Sequence, residues 1–205
     1  MYKSYKVRLY PTEEQQQIIL KHIGSCRFVW NYMLSLQIER KNNKEKKLSR
    51  FDMIKLLTPL KKEPEYRWLK EVSNTSLQII CTDLSKAYEM FFKQVCRFPK
   101  FKSRKKSKQS FPIRYDATWF DGKYVHIEKM GKVKYKADKN LPLSRDVKYI
   151  NPRIVFHNGK WLLKFVVECE NQTPTLTDKP MGIDLGVKET MTVAYGDECI
   201  VFHNI

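Results

Sequence analysis

One acidic residue stands in a setting that is typical of metal-assisted chemistry. In the stretch GIDLGVK, residues 182–188, Asp184 lies between two apolar neighbours on what reads as a short strand. A buried carboxylate is costly unless it is paired or bound to a metal ion, and strands disfavour aspartate. Carboxylate oxygens suit a hard cation such as Mg²⁺, and two-metal sites use several of them on a phosphodiester. The sequence therefore predicts Asp184 as a catalytic residue and a metal ligand.

Two other interpretations of this stretch stay open. Asp184 could be a turn residue held by nearby amides, since glycines stand at positions 182 and 186. The string GIDLG also opens actin- and Hsp70-like ATPases, whose glycine turn wraps a nucleotide phosphate, but Glu189 would repel that anion here. A nuclease site is therefore favoured. Such a nuclease site needs several carboxylates. Glu189, Asp197 and Glu198 follow Asp184 in the sequence, but they are expected to be surface charges that do not converge on Asp184, so the other ligands would have to come from elsewhere.

A basic segment precedes this site. The basic tract, residues 93–108, reads KQVCRFPKFKSRKKSK and holds eight Lys or Arg and no acid, in a chain of 205 residues with net charge +17. Such a surplus indicates a polyanionic partner, most often nucleic acid. A like-charge run is usually solvated and flexible, but the interleaved Phe98 and Phe101 favour a phosphate-binding loop. The predicted nucleic-acid-binding residues are Arg27, Lys93, Arg97, Lys100, Phe101, Lys102, Arg104, Lys105, Lys106 and Lys108.

Helices are predicted before the tract. Residues 2–10 alternate as a half-buried strand, and a capping-box pattern at Thr12 and Gln15 opens a helix that contains Gly24. A second capping box at Ser49 opens a short helix, residues 59–68 read as a loop, and a third helix starts near residue 74. A DNA-reading helix-turn-helix within the first helical region stays a minor alternative. The tryptophans at 30, 68, 119 and 161 are interpreted as packing residues.

Short strands are predicted after the tract. The clearest hairpin is RIVFHNGKWLLKFVVE, in which Asn158-Gly159 supplies the two positive-φ positions of a tight turn. The middle of the chain is therefore expected to be a small antiparallel sheet or barrel. Residues 171–180, with two prolines, read as a linker. Three strands then follow, of which Gly182–Val187 is expected to be buried, in the order that opens a ribonuclease-H-like domain.

The composition also bears on the cellular location and on the role of the cysteines. No apolar stretch is long enough to span a bilayer and the N-terminus lacks a signal peptide's apolar core, so we expect a cytoplasmic protein and no membrane partner. The five cysteines are odd in number and form no C-x-x-C pair. We therefore expect neither a zinc site nor a disulfide framework within this chain.

Several motifs together resemble one family. YKVRLYPTEEQ, CRFVWN, FPKFKSRKKSKQSF, VHIEKMGKVKYK and GIDLGVK occur in this order. The chain resembles the N-terminal half of TnpB, also called OrfB, of insertion sequences of the 200/605 type, which carry the historical label of transposase. The resemblance implies an RNA-guided DNA endonuclease that binds a transposon-end guide RNA and cuts target DNA.

The resemblance also implies an α+β domain organisation. Residues 1–12 and 109–175 would form a wedge-like β-barrel, 13–108 an inserted helical recognition domain that ends in the basic tract, and 176–205 a linker and the start of a RuvC nuclease domain. Asp184 matches the first catalytic aspartate of RuvC. The family's further carboxylates and its zinc ribbon are expected beyond residue 205.

Function is accordingly predicted on two levels. The chain is expected to bind guide RNA and DNA, in the prokaryotic cytoplasm and associated with the nucleoid. Mg²⁺-dependent cleavage is expected only with the C-terminal half, which another chain could supply. The alternative is a nuclease-dead nucleic-acid-binding protein, and an ATPase fragment is the weaker rival.

Overall fold

The fold is described from a computed structural model. It covers residues 1–137, 141, 143, 147–170 and 181–203. The chain divides into two compact units, Met1–Cys169 and Glu170–Ile205. The predicted linker at 171–180 lies outside the described residues. In the ranges given above, no helix has the length and apolar character needed to cross a membrane.

Within the ranges just given, the first unit contains three α-helices, one 3₁₀ helix and seven strands, and the second contains three strands. The helices are α1 (Glu13–Asn42), α2 (Arg50–Leu60), a 3₁₀ helix (Pro64–Lys70) and α3 (Asn74–Phe92). The strands of the first unit are β1 (Tyr2–Tyr10), β2 (Ser110–Pro112), β3 (Trp119–Asp121), β4 (Tyr124–Ile127), β5 (Gly131–Lys136), β6 (Ile150–His157) and β7 (Lys160–Glu168). Those of the second are β8 (Met181–Asp184), β9 (Glu189–Tyr195) and β10 (Glu198–His203). The chain is therefore a mixed helix-and-sheet protein, as predicted.

The seven-stranded sheet is antiparallel in every pairing. Its order is β2-β6-β7-β1-β5-β4-β3, so the first strand of the chain occupies the middle. Val7 and Leu9 on β1 are buried while the residues between and beside them are exposed, which confirms the predicted alternation. The predicted hairpin at Asn158-Gly159 joins β6 to β7, with φ +48° and +70° at its two residues. Among the described strands, β2 and β3 form open edges, so a closed barrel is not observed.

The helix starts follow the predicted capping signals. Thr12 Oγ1 accepts from the Gln15 backbone N–H at 3.3 Å, and Gln15 Oε1 accepts from the Thr12 N–H at 3.1 Å. Ser49 and Asp52 form the second capping box at the start of α2. The predicted loop at 59–68 is wrong in part, because α2 runs to Leu60 and Pro64 opens the 3₁₀ helix at a position where a missing N–H costs nothing.

Helix α1 runs without interruption through Gly24. No turn divides residues 13–42 into two helices, and the next helix, α2, begins at Arg50. A Cβ placed on Gly24 would meet no atom within 4 Å, so a close backbone approach does not account for this glycine.

One apolar core joins the helices to the sheet. It includes Val7 and Leu9 of β1, Ile19 and Val29 of α1, and Leu84 of α3 among its buried members. The helices between β1 and β2 therefore pack directly on the sheet. The basic tract connects α3 to β2, and this packing fixes α1 relative to both of these elements.

Buried polar contacts add specific links between these layers. His22, which is 1% exposed, accepts from the Ser73 backbone N–H through Nε2 at 3.0 Å and contacts the Ile18 carbonyl through Nδ1 at 2.8 Å. Because Nε2 accepts, the imidazole is neutral with its proton on Nδ1. Burial lowers the pKa of His22, consistent with that neutral form.

The second unit is a single antiparallel layer in the order β10-β9-β8. Gly196, with φ +56°, begins the two-residue turn between β9 and β10. The three predicted strands are present, but the predicted burial of residues 182–187 is wrong: all six are exposed, and Val187 is 97% exposed. Residues 181–203 contain no helix that could cover either face of this layer, so its apolar side chains meet solvent.

Candidate nucleic-acid interface

The basic tract begins where α3 ends and returns along α1. Phe92 closes α3, and Gln94 takes a positive φ of +59°. Phe98 then packs edge-on against Tyr88 and Phe91, with ring centroids 5.5 and 5.2 Å apart. This aromatic contact holds the tract close to the end of α3 before it reaches α1.

Two side chains of α1 bind the tract through its backbone. Trp30 donates from Nε1 to the Lys100 carbonyl at 3.0 Å. Asn31 donates from Nδ2 to the Lys102 carbonyl at 2.9 Å and accepts from the Lys102 N–H at 2.8 Å. Trp30 is 8% exposed, which confirms its predicted place in the core. The central residues of the tract are therefore fixed on α1.

Lys102 differs from its basic neighbours. Its ammonium nitrogen lies 3.7 Å from the centroid of the Trp30 ring, within cation–π range. Burial lowers the pKa of Lys102, and the nearby Asp83 carboxylate opposes that effect. Asp83 itself pairs with Arg153 at 2.5 Å. Lys102 thus directs its charge into the protein, although it was predicted together with the phosphate-binding residues.

The next residues form a hydrogen-bonded turn. Ser107 Oγ accepts from the Ser103 N–H at 2.9 Å, and Ser103 Oγ accepts from the Lys106 N–H at 3.0 Å. Gln109 donates from Nε2 to the carbonyls of Arg104 at 2.5 Å and Ser107 at 2.9 Å. Side chains therefore form hydrogen bonds with several backbone N–H and C=O groups of this turn, and its basic residues are exposed.

Most of the predicted binding residues lie on this surface. Seven tract cations are exposed, and none of the ion pairs in the described ranges uses them. They are Lys93, Arg97, Lys100, Arg104, Lys105, Lys106 and Lys108. Phe101 is 55% exposed beside them. Arg27 of α1 is half-buried and donates from Nη1 to Gln109 Oε1 at 3.5 Å, so it borders the tract as well.

Sequence reasoning missed the residues that shape this surface. Asn31, Ser103, Ser107 and Gln109 make the bonds that hold the tract, yet none of them was predicted. The serine pair four residues apart within a basic run was the signal available, because serine hydroxyls readily bond nearby backbone groups. Asn31 gave no signal, since its partners lie 71 residues away along the chain.

Asp184 lies apart from other candidate ligands. It is the last residue of β8, it pairs with Thr192 of β9, and it is exposed. Within the described part of the chain, no three His, Cys, Asp or Glu residues come together in a group that could hold a metal ion. One carboxylate does not fit the several oxygen ligands that Mg²⁺ requires, so these residues alone do not make a metal centre.

Comparison with known proteins gives three relatives and one family. A family description, the helix-turn-helix domain of OrfB from IS605-type elements, matches residues 1–46. A Streptomyces pristinaespiralis protein described as an RNA-guided DNA endonuclease is 27% identical over 206 residues, covering 96% of this chain and 49% of that protein. The Escherichia coli K12 protein InsQ, described in the same words, is 28% identical over 198 residues, covering 95% and 48%.

A shorter relative and a solved structure are also similar to this chain. Virulence protein VsdF of Salmonella dublin is 35% identical over 115 residues, which cover 51% of this chain and 95% of VsdF. A cryo-EM structure of a Cas12f1–sgRNA–target DNA complex is similar at 12% identity with a TM-score of 0.39, over 99% of this chain and 57% of that one. The chain spans about half the length of the two endonuclease relatives. The chain belongs to the TnpB/OrfB family.

Proposed function

We propose that this chain is the N-terminal, nucleic-acid-binding part of an RNA-guided DNA endonuclease. The observation that carries the proposal is the basic tract: seven exposed cations, none in an ion pair with another described residue, on a segment that Trp30 and Asn31 fix to α1. A fixed array of cations binds phosphates at a lower cost in conformational entropy than a flexible one. The names of the two longer relatives support guide RNA and target DNA as the partners.

We also propose a domain organisation, which rests on the pairing and order of the strands. β1 pairs with β5 and β7 across the intervening helices, which supports a wedge-like domain from residues 1–12 and 109–175 with a helical insert at 13–108. The strands β8, β9 and β10, with Asp184 at the end of the first, support the start of a RuvC nuclease domain within residues 176–205.

Asp184 is proposed as one ligand of a nuclease metal site, most simply for Mg²⁺. The remaining ligands would come from protein outside these 205 residues, either a C-terminal half or another chain that supplies it. A single exposed carboxylate cannot position a metal ion, a water and a phosphodiester, so cleavage would require these further ligands. The prokaryotic cytoplasm, in association with the nucleoid, is the setting that such partners imply.

Binding and cleavage assays separate this proposal from its nearest rival, a nucleic-acid-binding protein without nuclease chemistry. We expect the chain to bind a transposon-end RNA more tightly than a scrambled RNA of equal length, and to leave DNA uncut in Mg²⁺. Adding the C-terminal half should restore cleavage, and Asp184→Ala in that mixture should abolish cleavage without weakening RNA binding. Equal affinity for both RNAs at all salt concentrations would contradict guided binding. Cleavage that survives Asp184→Ala would contradict the role of Asp184.

A further inference from the structure

Four aromatic side chains form a patch on one side of α1. This aromatic patch consists of Phe28, Tyr32, Tyr66 and Trp68. The Phe28 ring centroid lies 5.1 Å from Trp68, 5.2 Å from Tyr66 and 5.8 Å from Tyr32. Trp68 was predicted to be a packing residue, yet it remains 39% exposed. Its indole Nε1–H donates to the Glu65 carbonyl at 3.0 Å, so the orientation of the exposed ring is fixed.

A groove of about 500 Å³ runs between α1 and the 3₁₀ helix beside Trp68. Its lining includes Lys21, Gly24, Ser25, Arg27 and Trp68. Gly24 leaves this part of the lining without a side chain, and a Cβ there would meet no atom within 4 Å. A glycine inside a helix costs about 1 kcal/mol relative to alanine. Packing within the protein does not explain this glycine. The open space that it leaves beside the oriented indole ring of Trp68 could accommodate a ligand.

The charges around the groove favour a nucleic-acid strand. Lys21 is paired with Glu71 at 2.7 Å, so these two charges largely cancel. Arg27 forms no such ion pair with any residue that the structure describes, and it lines both this groove and the notch that contains Ser107 and Lys108 of the tract. A strand whose phosphates lie on the tract and on Arg27 would therefore have its next base beside Trp68.

We propose that Trp68 is a stacking site for one base of a single-stranded nucleic acid, with Arg27 holding the adjoining phosphate. The inference rests on the proposed function and names a site for it. An indole face accepts any base, so this contact adds affinity without sequence preference. Gly24 leaves room for the base, and the tract supplies the electrostatic attraction.

The test compares two labelled strands of 12 nucleotides by fluorescence anisotropy. One carries uracil at every position, and the other is an abasic strand with the same number of phosphates. Trp68→Leu removes the ring, and Gly24→Leu fills the groove while favouring the helix. Both variants should lose about 5- to 150-fold in affinity for the base-bearing strand and bind the abasic strand as the unchanged protein does. Trp68→Phe should retain most of the affinity.

A matched control is Phe156→Leu, because Phe156 is also 39% exposed but lies on the β6–β7 hairpin. It should bind both strands normally. Unchanged binding of the base-bearing strand in both Gly24→Leu and Trp68→Leu would overturn the inference, as would an equal loss on both strands. The proposed function fails separately, if the unchanged protein binds neither strand in a salt-dependent way. Thermal unfolding of each variant shows whether a loss reflects misfolding, and Gly24→Leu keeps the test decisive if Trp68→Leu does not fold.

Discussion

Removing the charges of the tract's turn gives the most quantitative test of the interface. Arg104, Lys105 and Lys106 follow one another on the turn held by Ser103 and Ser107, and all three are exposed. Replacing the three by glutamine retains polar side chains of similar reach and leaves the backbone bonds of the turn in place. The net charge falls by three, and Lys102, whose ammonium lies on the Trp30 ring, is unchanged.

The magnitude follows from the number of phosphates released. Each cation that neutralises a phosphate contributes about 0.7 to the log–log salt slope on single strands and about 0.9 on duplex DNA. Losing three contacts should therefore lower the slope by about 2.1 on single strands and about 2.7 on duplex. Between 50 and 200 mM salt, the affinity ratio of wild type to variant should shrink by about 20-fold on single strands and about 40-fold on duplex.

The assay is an anisotropy titration of a labelled oligonucleotide across this salt range. A control variant replaces Lys123, Lys132 and Lys134, three exposed lysines around the β4–β5 hairpin, by glutamine and so loses the same charge. Its slope should stay at the wild-type value. If the control lowers the slope as much as the tract variant does, the overall net charge and not the ordered tract binds the phosphates, and the reasoning is wrong.

The remaining predictions concern single residues. Lys102→Gln should leave the salt slope unchanged, because its ammonium already lies on Trp30, whereas loss of a phosphate contact would lower the slope by about 0.7. For His22, burial holds the folded pKa below the unfolded value near 6.5, so the free energy of unfolding should be fully retained above about pH 6.5 and fall below it by up to about 1.4 kcal/mol per pH unit. Denaturant titrations from pH 7.5 to 5 measure this fall, which should be smaller in His22→Gln; an equal fall would assign it to other groups. Thr12→Ala removes the cap of α1 and should cost about 0.5–2 kcal/mol by the same measurement, while Thr12→Ser should cost little.

Local signals predicted the elements of this protein well. The capping boxes at Thr12 and Ser49 and the turn at Asn158-Gly159 each depend on a few adjacent residues, so the sequence contains all the information needed to find them. The open edges of the sheet and the contact of Asn31 with the tract depend on residues far apart in the chain, and periodicity carries no information about such pairs.

The predicted site divides in the same way. A charge run is visible in sequence, and seven of its eight cations are exposed as a binding surface requires. The inward turn of Lys102 was not predictable, because it needs the ring of Trp30 at a distance of 72 residues. Burial of residues 182–187 was expected from their apolar character, but burial also requires a second layer, and residues 181–203 provide one sheet only.

The central position of β1 has a consequence for synthesis on the ribosome. β1 is translated before every other strand of its sheet, yet its pairing with β7 runs through Glu168, and the Met1 carbonyl accepts from the Cys169 N–H at 2.8 Å. The three helices are complete in the nascent polypeptide long before this partner strand exists. β1 must therefore wait for β5 at residues 131–136 on one hydrogen-bonding edge, and on the other edge until almost the entire first unit has been translated. A slow decoding step before residue 160 would prolong that exposure, so the yield of folded protein should be sensitive to elongation rate over this stretch.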